Sequence, residues 1–209
     1  TAFNRLLNLL VKWKRNIDIR ALRYLAENYG PPSIIFDPED GTTVLSYLLM
    51  SQTLYTDIEQ TNLETVVFRY LTEQFGKEVL DSVDRLGMAP MHHAAVRAKP
   101  DAIRILIQRG ANVHILKTAS QVEGRGDKFG GFTPLAMAIM MSKRGPPSRL
   151  KQGSEDIKIW QQRMNEVIRL LSQYGDECGP GANQETRAHA KSAANVASAV
   201  STLIVDLTC

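Results

Sequence analysis

His92 and His93 stand side by side, and histidine is the side chain most often used for proton transfer and metal binding near neutral pH. Adjacent residues on a helix point apart, so the two cannot easily share one ligand. His93 reads as a partly exposed residue on a helix. Cys178 and His189 could in principle serve as nucleophile and base. However, Cys178 lies in the glycine-rich stretch GDECGPG, and no cysteine-protease signature surrounds it. Neither Cys178 nor Cys209 belongs to a CxxC pair, and no Cys/His spacing suits zinc. Gly124, Gly126, Gly130 and Gly131 lack the GxGxxG spacing and the preceding strand of a dinucleotide site. Arg125-Gly126-Asp127 spells the integrin tripeptide, and a match of three residues carries little information. No cofactor and no metal are implied. The run SKRGPPSRLKQG places Lys143, Arg144, Arg149 and Lys151 together with no acid between them. Such a run is usually a solvated loop, and its sharper use is to meet phosphates or an acidic partner. No aromatic is interleaved, which argues against stacking on single-stranded nucleic acid.

The chain of 209 residues carries a formal charge of +3, too little to point to nucleic acid by itself. Six cations against two acids in residues 1–30 and four unopposed cations in 142–153 mean that the remainder is net acidic. Two cysteines make no disulfide framework, so a reducing compartment is expected. That implies the cytoplasm or another intracellular location, or the host cytosol for a secreted bacterial effector. No apolar run reaches the roughly 18 residues of a membrane helix, and Lys12, Lys14 and Arg15 interrupt any signal-peptide core. The chain opens at Thr1 within a helical pattern, as a piece of a longer protein would.

These residues must be positioned by helices. Over 84–113 the sequence reads DRLGMAPMHHAAVRAKPDAIRILIQRGANV. Asp84 and Gly87 predict a tight turn, and Pro90 suits the first turn of a helix. Ala94 and Ala95 are small enough for close helix approach. Lys99-Pro100 breaks that helix, and Asp101 is expected to cap the next. Ile103, Leu106 and Ile107 then form an apolar stripe that Gly110 terminates. A weaker copy opens at Asp40-Gly41-Thr42-Thr43-Val44-Leu45, with Leu48 and Leu49 at the alanine positions and a second helix expected over 62–75. Another opens at Gly131-Phe132-Thr133-Pro134-Leu135, with Ala138 and Ile139 at those positions and a second helix expected from Glu166 to Tyr174. The openings lie 46 and 44 residues apart, so insertions are expected near 51–60, 116–129 and 142–157. Phe3, Leu6, Leu7, Leu10 and Val11, followed by Ile19, Leu22, Leu25 and Ala26, predict an N-terminal helix pair. Gln184 to Leu207 predicts a C-terminal capping helix.

The window at 84–113 resembles an ankyrin repeat, whose pattern is a turn, TPLH, paired alanines, a second helix and a closing Gly-Ala-Asp/Asn-Val. The match follows the family's period of about 33 residues throughout. The resemblance implies an all-α solenoid of helix pairs with β-turn fingers and terminal caps. Its expected parts are 1–36 as an N-terminal pair, 37–175 as repeats (about 37–83, 84–127 and 128–175) and 176–209 as linker and cap. It also implies that His92, at the TPLH histidine, ties turns together by hydrogen bonds. Family members bind proteins through finger tips and first helices. Position by position, this carries onto Glu39, Thr42, Met50 and Ser51 of the first copy. In the second it gives Arg85, Leu86, Met88, Val96 and Arg97, and in the third Lys128, Phe132, Met140 and Met141. Leu86, Met88, Phe132, Met140 and Met141 are apolar where exposure is expected, unless the insertions fold back over them.

The expected function is therefore recognition of a protein partner by a non-catalytic, monomeric module. Two alternatives stand beside it: the substrate-targeting part of a larger enzyme or bacterial effector, and a Cys178-dependent enzyme.

Overall fold

A computed structural model describes residues 5, 19–29, 35–37, 41–50, 58–118, 130–148, 150, 154–174 and 184. The expected stripe residues Phe3, Leu6, Leu7, Leu10 and Val11, the residues Glu39, Ser51, Lys128, Arg149, Lys151, Cys178, His189 and Cys209, and 185–207 of the expected C-terminal helix all lie outside this set, as does 119–129 of the expected finger.

The described chain is helical apart from one small ribbon. Helix α1 spans Ile19–Tyr29, strands β1 and β2 span Ile35–Asp37 and Thr42–Thr43, and helices α2 and α3 span Val44–Leu49 and Ile58–Gln74. There follow a single turn α4 (Lys77–Leu80), then α5 (Pro90–Val96), α6 (Pro100–Gln108), α7 (Pro134–Arg144) and α8 (Glu155–Ser172). Three antiparallel pairs result, α2 with α3, α5 with α6 and α7 with α8. They stack so that α2, α5 and α7 form an inner row while α3, α6 and α8 form an outer one. This is an all-α repeat fold. Strand β1 pairs antiparallel with β2, matching Ile35 to Thr43, and so ties the segment before the first copy to its finger.

The inner helices supply much of the core. Leu45, Leu48 and Leu49 of α2, Met91, Ala94 and Ala95 of α5, and Leu135, Ala136 and Ala138 of α7 are all buried. Small side chains at 94–95 and 138 let neighbouring pairs approach. Thr43 and Thr133 start α2 and α7, their hydroxyl oxygens accepting the N–H groups of Ser46 and Ala136 at 3.1 and 3.3 Å. Helix α6 ends as its sequence predicts. Gly110 takes φ +80°, its N–H donates to the Ile107 carbonyl, and the Ala111 N–H donates to the Leu106 carbonyl.

Four expectations need correction. Asp101 does not cap α6. Lys99 occupies the cap position and Asp101 sits in the first turn, where its carboxylate accepts from Arg104 at 2.9 Å. Helix α8 begins at Glu155, not Glu166. Trp160, Met164, Val167 and Leu171 form one buried stripe along it, and Ser154 precedes two acids that suit a helix N-terminus. The third insertion is correspondingly shorter, because α7 continues to Arg144. Lys143 and Arg144 thus belong to the last helical turn, where cations complement the helix dipole, instead of to a loop. Finally, α3 starts at Ile58, inside the first expected insertion.

Candidate functional site: the fingers and the inner helices

The second finger is built around Asp84. Its Oδ1 accepts the N–H groups of Leu86 and Met88 at 2.9 and 3.0 Å, and its backbone carbonyl accepts from Gly87 at 2.8 Å. Its Oδ2 lies 2.7 Å from His93 Nε2. His93 is therefore buried, not partly exposed as expected, because the turn folds the carboxylate back over α5. Burial alone would raise the carboxyl's pKa. The His93 hydrogen bond and charge, with the two backbone N–H groups, outweigh this and hold Asp84 below the ordinary value.

His92 performs the role implied for it. Its Nδ1 accepts the Ala89 N–H at 3.2 Å, which leaves Nε2–H to donate to the Phe132 carbonyl at 3.1 Å. The bond runs from the second copy to the third finger. The same Phe132 carbonyl accepts the Lys117 N–H at 2.9 Å, and the Lys117 carbonyl accepts from Gly131. The Thr118 N–H donates to the Gly87 carbonyl at 3.0 Å. Residues 117–118 are thereby laced between the two fingers. In the first and third copies the corresponding position holds Ser46 and Ala136, so this lateral bond belongs to the central junction.

Burial pushes the pKa of His92 down to about 4, against the Phe132 hydrogen bond, which favours the charged form. Its ordinary value is about 6.5. A histidine held below its unfolded value contributes its full stability above pH 6.5 and loses it as pH falls towards 4, because only the unfolded chain takes up the proton in that window. The integrated loss is on the order of 3 kcal/mol at pH 4. Melting temperature is expected to fall across this range in wild type. In His92→Gln it should fall less steeply, and parallel pH profiles for the two chains would contradict the assignment.

The structure separates the expected partner-binding residues into two groups. Arg85 is exposed, and Leu86, Val96, Arg97, Met140 and Met141 are half-buried on the finger and along α5 and α7. Thr42, Met88 and Phe132 are buried, so the expected exposure fails there. Thr42 pairs in the ribbon, and Met88 and Phe132 join the core beneath the 117–118 lacing. Lys143 and Arg144 are exposed at the end of α7.

Sequence reading missed the polar contacts between pairs. Lys99 Nζ donates to Glu64 Oε2 at 3.0 Å in a largely buried pair joining the second copy to α3. Burial lowers the Lys99 pKa despite Glu64. On the outer row, Arg109 meets Glu73 at 2.7 Å, and Arg104 bridges Asp101 to Glu166, which Arg169 also holds. These exposed pairs each contribute about 1 kcal/mol or less. Among the described residues no group of three His, Cys, Asp or Glu side chains could hold a metal ion. No described helix is long and apolar enough to cross a membrane.

Stacked helix pairs, laced fingers and a histidine bonded across to the next finger define a helical-repeat fold. Residues 86–115 match the family model of the ankyrin repeat, the segment that comprises most of the second finger, α5 and α6. No curated protein matches the chain.

Proposed function

We propose that the chain binds a protein partner on the face formed by the fingers and the inner helices, and that it catalyses nothing there. The observation supporting this is the half-exposed apolar set Leu86, Val96, Met140 and Met141 beside Arg85 and Arg97, carried on the second finger and on helices α5 and α7, which pack side by side. Arginine, methionine and aliphatic anchors ringed by polar groups suit an interface core. The ankyrin-repeat match points the same way, because such modules generally bind proteins. The outer row presents a self-neutralised set of ion pairs, a poorer surface for recognition. Glu39 and Lys128 are assigned to the proposed face by their repeat positions alone, and the buried Thr42, Met88 and Phe132 support its fingers. Lys143 and Arg144, with Arg149 and Lys151, offer an acidic partner a second contact. Two unpaired-by-motif cysteines fit a reducing intracellular setting. The reading is tested by reversing charge in the finger and asking which captured partner is lost.

A role as the targeting part of a larger enzyme or effector is the second reading, and it uses the same face. The interval of 46 and 44 residues between openings favours it, since long insertions in a repeat array are often functional.

A further inference from the structure

Lys99 stands at the turn from α5 into α6, with its Nζ 3.0 Å from Glu64 Oε2 and its side chain 19% exposed. Both members of this pair line a narrow cavity of about 40 Å³. Leu48 and Leu49 of α2, Phe68 of α3 and Ala102 of α6 supply apolar walls. These walls belong to the close-packed core and give the cavity little room to widen. A water-sized guest needs about 10–15 Å³, so the space admits a group of roughly three heavy atoms.

An amine in this position differs from a lysine at the surface. Burial disfavours its charged form, against the pull of Glu64, and so leaves more of it as the nucleophilic free amine. The carboxylate beside it can hold a proton in transit. It also selects among products. A product that keeps a positive charge on the nitrogen keeps the pair with Glu64, whereas a neutral amide loses it.

We propose that Lys99 is a covalent binding site for a two- or three-carbon aldehyde, held as a protonated imine beside Glu64. Glu64 takes one proton from the ammonium, and Nζ bonds to the carbonyl carbon as the C=O π bond breaks. A second amine proton passes to the carbonyl oxygen. The resulting hydroxyl leaves as water with the proton that Glu64 held, and the C=N bond forms. Nitrogen keeps one hydrogen and a positive charge against the restored carboxylate, and no oxidant or reductant is consumed. The short alkyl group lies against Leu48, Leu49 and Phe68. The site stands apart from the proposed binding face and does not rest on that reading.

The test is limited labelling of the full chain with acetaldehyde and cyanoborohydride at about pH 7, which fixes each imine as an ethyl group. Peptide mass spectrometry then locates the label. Lys99 is expected to react at least tenfold faster than the exposed Lys77 and Lys158. Pivalaldehyde, too bulky for the cavity, should erase that preference, as should unfolding the chain in urea. Ethylation keeps the charge, so the labelled chain should melt like wild type. Lys99→Gln removes the charge as an amide would, and should melt lower. Labelling of Lys99 no faster than Lys158, a preference that survives pivalaldehyde or urea, or a wild-type melt for Lys99→Gln would each overturn the proposal.

Discussion

Gly87→Ala should cost about 4 kcal/mol, several times more than the same change at Gly110. Both glycines lie in the left-handed region, at φ +73° and +80°, so both substitutions incur the strain of an L side chain there, roughly 1 kcal/mol. They differ in what the new methyl would meet. At Gly110 nothing lies within 4 Å, whereas at Gly87 the Cβ would fall 2.2 Å from the Thr118 carbonyl oxygen. Thr118 cannot withdraw cheaply. Its N–H donates to the Gly87 carbonyl, and the adjoining Lys117 is bonded on both sides to the third finger. Relief of the clash therefore unlaces 117–118 and loses several hydrogen bonds at once. Denaturant titration of the two variants measures the difference. Equal losses would show that the fingers are not held together through Thr118.

Leu106→Asp is expected to remove the cooperative transition altogether. Leu106 is fully buried in the last turn of α6, in the pair that contacts both neighbours. Replacing it loses about 2–3 kcal/mol of apolar burial. It also forces a carboxylate into the hydrophobic core, for a total of about 5 kcal/mol or more. In a stack, each pair is stabilised chiefly by its neighbours, so failure of the middle pair uncouples the outer two. Circular dichroism should show reduced helix at 25 °C and a broad, multi-step melt. A melt identical to wild type would contradict the packing of α6.

The parts of this fold that could be read in the sequence are those whose signals are local. Gly110 after the Ile103–Leu106–Ile107 stripe ends a helix wherever it occurs, and Thr133-Pro134 begins one. Helix α8 was only half legible. Its last turns carry the repeat's apolar pattern, but Trp160 and Met164 continue that stripe through a stretch of charged residues outside the pattern. The burial of His93 was illegible, because it depends on where a turn brings the Asp84 carboxylate. Met88 and Phe132 look like exposed contacts in the repeat register. They are covered because 117–118 is laced across the fingers, a tertiary consequence that no spacing announces. Arg85, Leu86, Val96, Arg97, Met140 and Met141, which the repeat register sets on the proposed face, are exposed or half-buried. The Lys99–Glu64 corner was not legible, since its members lie 35 residues apart.

The central claim, that the fingers and inner helices form the binding face, is tested most directly by paired capture from cell lysate. Wild type is compared with Arg85→Glu/Leu86→Glu on the second finger and with Arg109→Glu on the outer row, after circular dichroism has shown all three to be folded. The account predicts that a protein retained by wild type is lost from the finger variant and kept by Arg109→Glu. Retention of that protein by the finger variant, or its equal loss from the outer-row variant, would contradict the claim.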